Sequence, residues 1–247
     1  RDYAVTGVQT CALPIWLLYF NENSRSLRIK SIIEHSENLG IDELKQILFD
    51  TKVIKPIIRN INFNVLFDLD EKRYNKLAGI ISVLNKWDGY ADLNSEGAAL
   101  FSLFFHRYKE KYYVSSKDPD VIQIAKIDEI IDCLNWVLKY YKPKTQLGDI
   151  QFIKRGKTIL PISGIPDSIN SVRPFFDKGK LYAEEGGAFR LIIDLKSRKI
   201  FACHPFGSST DTEDKNATNQ MELFTNNKYR EINDFNFYIK NYAHYSV

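Results

Sequence analysis

The chain has 247 residues, 44% of them hydrophobic, which is length enough to bury a sizeable core. Its 34 Lys and Arg against 31 Asp and Glu give a formal charge of +3 with the basic residues dispersed, so the clustered positive face that nucleic acid demands is excluded. There is no apolar run of the roughly 18 residues that a helical membrane span needs.

Val5 to Ile15 reads VTGVQTCALPI, the in-frame translation expected of a common sequencing-adapter primer. Residues 1–16 are therefore set aside as adapter-derived, and Cys11 receives no catalytic role. The charge is unchanged without them, since Arg1 and Asp2 cancel.

Residues 17–142 read as a helical segment of about six helices. Ser24 to His35 carries Leu27, Ile29, Ile32 and Ile33 at amphipathic spacing behind an N-cap at Ser24. Asp42 to Asp50 is predicted helical, capped by Asp42, with Leu44, Ile47 and Leu48 inward. Lys55 to Phe67 follows, interrupted early by Pro56, then Glu71 to Trp87 with Tyr74, Leu77, Ile80, Ile81 and Leu84 on one face. Ser95 to Tyr112 and Lys126 to Tyr141 complete the set. The basic and aromatic run Arg107 to Tyr113 reads as a solvated last helical turn and not as a nucleic-acid patch.

After Lys142-Pro143 the pattern changes, and residues 143–247 read as β-rich. Ile150 to Lys154, Thr158 to Ile162 and Lys180 to Ala183 are predicted strands. Ala188 to Leu195 and Lys199 to His204 form a predicted hairpin through Lys196-Ser197-Arg198. Pro205 ends that ladder and Gly207 permits the turn that brings Ser208 and Ser209 to the surface. Asn233 to Tyr242 is expected to be a closing helix. The fold class is α+β, with a helical N-terminal half and a β-rich C-terminal half. Cys133 and Cys203 sit among apolar neighbours and read as reduced core thiols. The histidines His35, His106, His204 and His244 lie far apart without metal-ligand spacing, so neither metal nor cofactor is expected.

Several blocks in order carry a resemblance. Leu84 with Trp87-Asp88-Gly89 is followed by Ser95, Gly97-Ala98 and Leu100-Phe101; then come Gly148-Asp149 and Pro161, Gly164, Pro166-Asp167; then Gly186-Gly187 with Phe189, His204 with Gly207 and Ser209, and Gln220 with Phe224. This order resembles the C-terminal part of the β chain in the penicillin acylase family, closest to the acyl-homoserine lactone and aculeacin-type acylases. The resemblance implies an incomplete piece of an αββα N-terminal-nucleophile hydrolase, with the α chain and the N-terminal part of the β chain as missing partners. It implies hydrolysis of an acylated small-molecule amine by an N-terminal serine whose α-amino group is the base, in the periplasm or outside the cell. No catalytic residue is expected among these, and the chain alone is expected to be inactive.

Arg25 is the residue the resemblance carries over, as a substrate-binding arginine at the active-site rim, and Arg28 competes because Arg-x-x-Arg permits a shift of three. Asn21 and Asn23 stand too close to Arg25 to match the family's oxyanion asparagine. Where family members have Ser-Pro-His-Tyr-x-Asp-Gln, this chain has Lys215-Asn216-Ala217-Thr218-Asn219-Gln220, which removes the His-Tyr pair and leaves Gln220 as a loop tie to backbone. Ser208 and Ser209 beside His204 lack an acid and are not expected to form a triad. The rival is an independent non-catalytic α+β binding module, with the Gly207 to Ser209 loop and Tyr112, Tyr113 and Phe206 as its contact surface.

Overall fold

A computed structural model describes residues 23–54, 56–114, 121–140 and 144–232. The leading residues 1–16, Asn21, the expected closing helix and His244 lie outside the described residues. The most apolar stretch becomes the centre of the helical half. Glu96–Lys111 (here α4, following the helices named below) buries residues on nearly every side, from Gly97 through Phe105 and again at Tyr108, as a helix enclosed by others must. Ser95 caps it by accepting from the Ala98 amide at 3.1 Å.

Among the described residues three helices precede it: α1 (Ser24–Glu34), α2 (Ile41–Ile47) and α3 (Ala78–Lys86). The N-cap of α1 is Asn23 and not the expected Ser24; Asn23 Oδ1 accepts from the Ser26 amide, while Ser24 is buried. Gly40, not Asp42, caps α2, and Leu44 is exposed while Ile47 and Leu48 are half-buried. Asp42 and Glu43 instead occupy the first turn, where they complement the helix dipole. On α3 the buried residues Ile80, Ile81 and Leu84 continue the face begun by Leu77, as expected, but the turn before them, Asn75–Leu77, is 3-10.

The expected helix at Lys55–Phe67 is a hairpin. β1 (Ile57–Ile58) pairs antiparallel with β2 (Ile61–Asn62) through Arg59 and Asn60, both at positive φ, and a 3-10 turn follows at Asn64–Asp68. Ile58 and Ile61 face each other across the two-residue turn. Their spacing of three imitates a helical face. β3 (Gln123–Ile124) adds parallel to β2. α5 (Ile127–Val137) then packs on α4, with Tyr108 donating to Glu129 at 2.9 Å. The solvated turn expected at Arg107–Tyr113 is thus anchored: Lys109, Glu110 and Lys111 are exposed, but Tyr108 is buried.

A short α6 (Leu147–Ile150) leads into β4 (Gln151–Arg155), β5 (Thr158–Pro161), β6 (Val172–Asp177) and β7 (Lys180–Gly186), whose sheet order is β5-β4-β7-β6 with β4 and β7 parallel. β6 was not visible in the pattern because Pro174 interrupts it. It lies at a sheet edge with a bulge between Arg173 and Pro174, which is where a strand tolerates proline. The expected hairpin is β8 (Arg190–Asp194) with β9 (Lys199–Cys203), and β10 (Arg230–Ile232) joins the far side of β9 after α7 (Met221–Thr225).

Among the described residues two hydrophobic clusters result. The larger one surrounds α4 and includes Leu147, Ile150, Ile165 and Leu181 from beyond Lys142. The smaller one comprises Phe49, Ile153, Ile162, Val172, Cys203, Met221 and Phe224. The chain is α+β.

Candidate functional site

The loop at residues 87–95 is where the sequence blocks meet. Trp87 stacks on Phe101 at 5.3 Å and donates from Nε1 to the Tyr90 carbonyl at 2.8 Å. Gly97 leaves room for it, since a Cβ there would lie 2.3 Å from Trp87 Cγ. The Gly148 amide donates to Leu93 O at 2.7 Å, and the Gly164 amide to Ala91 O at 2.8 Å. Gly164 sits at φ +99, and a Cβ would fall 1.9 Å from the Asn170 carbonyl, so only glycine fits. Asp167 accepts from the Arg59 amide, and Gln151 donates to the carbonyls of Ile162 and Gly164. These glycine and aspartate motifs therefore shape backbone; they present no reactive group.

What the loop supports is residues 50–54. Val53 N donates to Gly89 O at 3.0 Å and Ala91 N to Thr51 O at 3.3 Å, while Thr51 donates from its hydroxyl to Asp92 at 2.6 Å. That segment in turn fixes the start of α1. Ser24 Oγ accepts from the Ile54 amide at 2.5 Å. Arg28 grips Asp50 in a two-pronged pair, Nε to Oδ1 at 3.1 Å and Nη2 to Oδ2 at 2.7 Å, and reaches Tyr90 Oη at 3.4 Å. The hydrogen bond to Asp50 raises the pKa of Arg28 against the opposing effect of burial.

Arg25 lies one turn earlier on α1. Its Nε is buried and has no hydrogen-bond partner among the described residues. The arrangement separates the two candidates: Arg28 is consumed by Asp50, whereas Arg25 keeps one unused donor, its buried Nε. Asn23, the described one of the two asparagines considered, uses its Oδ1 to cap α1.

The other sequence candidates are structural. Gly207 packs so closely that a Cβ would lie 1.9 Å from Asn216 O. Ser208 Oγ accepts from Asn219, Ser209 Oγ accepts from the Asp211 amide, and Arg155 donates to the carbonyls of Ser209 and Thr210. His204 is half-buried, its pKa lowered first by burial and then by Arg230, and it makes no hydrogen bond to either serine among the described residues. Gln220 does tie the loop, but through its main chain: the amide donates to Phe206 O at 3.0 Å, while the buried side-chain amide has no partner among the described residues. Tyr112 and Tyr113 are half-buried against the larger cluster and Phe206 against the smaller one, so they do not form the exposed contact surface of the rival reading. Cys133 and Cys203 are free and buried, their thiols pushed up by burial to about 12 and about 11.

A second polar knot escaped the sequence. Arg190 is only 7% exposed; Nη2 donates to Asn170 Oδ1 at 2.6 Å, and the guanidinium lies over Phe49 at 4.0 Å and Phe224 at 4.6 Å. Burial lowers its pKa. Asn170 connects this knot to the first, because its amide donates to Asp50 O at 2.8 Å. A single arginine inside an alternating strand is the signal, and it is indistinguishable in sequence from an outward-facing one.

Residues 6–234 match the model of the Penicillin amidase family, a span that includes the 87–95 hub, both arginines of α1 and the three described sheets. The chain belongs to the penicillin amidase family. Membership makes it an acylase-type amidohydrolase by family. No curated protein matches the chain. In this penicillin amidase family member the sequence blocks that carry the resemblance build backbone, and that backbone fixes the start of α1, the helix of Arg25 and Arg28. Among the described residues no group of three or more His, Cys, Asp or Glu could hold a metal ion, and no helix is long and apolar enough to cross a membrane.

Proposed function

We propose that the chain is the scaffold part of a β chain from an enzyme that hydrolyses the amide of an N-acylated amine, with Arg25 at the rim of the active site. Acyl-homoserine lactones are the preferred substrates, then cyclic lipopeptides, then β-lactam side chains, and the enzyme works in the periplasm or outside the cell. The nucleophile is a serine at a chain N-terminus outside the described residues. Its own α-amino group, with an ordinary pKa of about 7.7 to 8.0, takes the hydroxyl proton at neutral pH. The carbonyl oxygen then gains charge, and donors placed around it lower the barrier.

The observation that carries this reading is the unpartnered Nε of Arg25 beside an Arg28 already bound to Asp50. A guanidinium held at a fixed helix start can orient an acyl or lactone oxygen, or brace an oxyanion donor. The rival, a self-sufficient binding module, is disfavoured by the row Phe189, Leu191, Ile193 and Leu195, all between 45% and 75% exposed. A self-contained module rarely leaves such a row open.

The test has two stages. The purified chain, assayed for acid release from a long-chain N-acyl-homoserine lactone, is expected to show no turnover. Co-expressed with the α chain and the N-terminal part of the β chain, it is expected to become active. Arg25→Ala should then lower kcat/KM by about tenfold to a hundredfold, the loss of one charged hydrogen bond to substrate. Turnover by the chain alone, or an Arg25→Ala complex as active as the parent, would contradict the reading.

A further inference from the structure

A cavity of about 170 Å³ opens between the four-stranded sheet and the segment that carries Phe206 and Phe224. Much of its wall is apolar, formed by Ile153, Ile162, Val172, Ala183, Phe206 and Phe224. Four of these belong to the smaller hydrophobic cluster, so the floor of the space is core, while its mouth opens beside the exposed Glu184, Glu185 and Ala188. An apolar cavity of about 150 Å³ is sufficient to hold a benzene molecule. This one therefore has room for a single six-membered ring with a small substituent.

Polarity narrows the occupant. Ser171 lines the cavity, is only 6% exposed, and its Oγ is buried with no hydrogen-bond partner. An unsatisfied buried hydroxyl is costly, and a ligand atom that bonds to it recovers that cost. The main chain here is fixed: Ser171 O accepts from the Gly187 amide at 2.9 Å, and a Cβ on Gly186 would lie 2.4 Å from the same oxygen. The backbone that carries the hydroxyl is thus held in place.

Charge argues against an acid. Glu184 and Glu185 also line the cavity; Glu185 is paired with Arg173, and Glu184 is exposed. Arg190 stands near Gly187 with Nη1 unpartnered, but it is not part of the cavity wall among the described residues.

We propose that this cavity is a binding site for a small uncharged cyclic compound bearing one hydroxyl, its ring packed against Phe206 and Phe224 and its oxygen bonded to Ser171. The site is independent of Arg25 and of the amidohydrolase reading.

The full chain is titrated with phenol, toluene and benzoate by calorimetry and ligand-observed NMR. Phenol is expected to bind saturably at one site and toluene roughly fivefold more weakly, for want of the hydrogen bond. Benzoate is expected to bind least. Ser171→Ala keeps the space and removes only an unpartnered hydroxyl, so it should melt at the same temperature or higher and bind phenol no better than toluene. Ala183→Leu fills the space and should abolish binding of both. The proposal is overturned if phenol does not saturate, if Ser171→Ala leaves the preference for phenol intact, or if benzoate binds most tightly, which would assign the site to the guanidinium of Arg190.

Discussion

Arg25 and Arg28 are one turn apart on α1, and no pattern in the sequence ranks them. What ranks them is Asp50, 22 residues beyond Arg28, brought into place by the strand-like pairing of residues 51–53 with 89–91. The side chains of Arg28 and Asp50 are 19% and 13% exposed, so this pair is shielded well enough for its loss to be felt. Asp50→Ala leaves a largely buried guanidinium without its counter-charge and also frees the Lys52 amide, and is expected to cost about 2–4 kcal/mol in urea unfolding. Replacing both partners together, Arg28→Met with Asp50→Leu, should cost markedly less, because no charge is then stranded. If Asp50→Ala costs under about 0.5 kcal/mol, the pair behaves as a surface ion pair. Arg28 then becomes as free to meet a substrate as Arg25. Cys133 is legible for the opposite reason, since its apolar sequence neighbours Ile130 and Leu134 share its cluster, whereas Cys203 is buried among residues distant in sequence, Phe49, Ile153 and Met221 among them.

At the level of elements, the sequence was most readable where one element meets its core through a single periodic face. The buried face of α3 follows from its spacing, and β8 with β9 from their composition and turn, whereas α4 is buried on nearly every side. The sequence misled where spacing had two meanings, as at Ile58 and Ile61, and where proline sat in a tolerated edge position, as at Pro174. Gly97 shows the limit in the other direction. On propensity alone, Gly97→Ala in a helix should stabilise by about 1 kcal/mol. Yet the new methyl would fall 2.3 Å from Trp87 Cγ and 2.5 Å from its Cβ, atoms close to the backbone that cannot rotate away. Overpacking of this kind typically costs about 1–3 kcal/mol. Steric conflict should win, and Gly97→Ala is expected to lower the urea midpoint, with a blue or red shift of the Trp87 fluorescence marking the displaced ring. A raised midpoint would mean that the 87–95 loop yields, and with it the claim that this loop is the rigid hub of the scaffold.

For the whole molecule the deciding feature is one side of a sheet. Among the described strands, in the order β10-β9-β8, β8 is an edge, and its residues alternate between the two sides. Arg190 and Ile192 are buried, Arg190 over Phe49 and Phe224 of the smaller cluster, whereas Phe189, Leu191, Ile193 and Leu195 alternate with them and are exposed. The periodicity of this hairpin announced a strand, but an apolar residue on each side gives no hint of which side is covered, so the sequence could not say that one stays open. An open edge carrying an open apolar side is a site for association with further strands or with neighbouring chains. The isolated chain is therefore expected to self-associate in sedimentation velocity and to bind an apolar fluorescent dye while folded. Leu191→Lys with Ile193→Lys should suppress both, and because neither side chain is buried the melting temperature should change little, within about 0.5 kcal/mol of stability per site. In the active complex of the proposed enzyme the same double substitution should weaken assembly and leave the isolated chain's fold intact. A monomeric, dye-silent parent chain would mean that this side is already covered, and the argument that it belongs to a larger body would lose its main physical support.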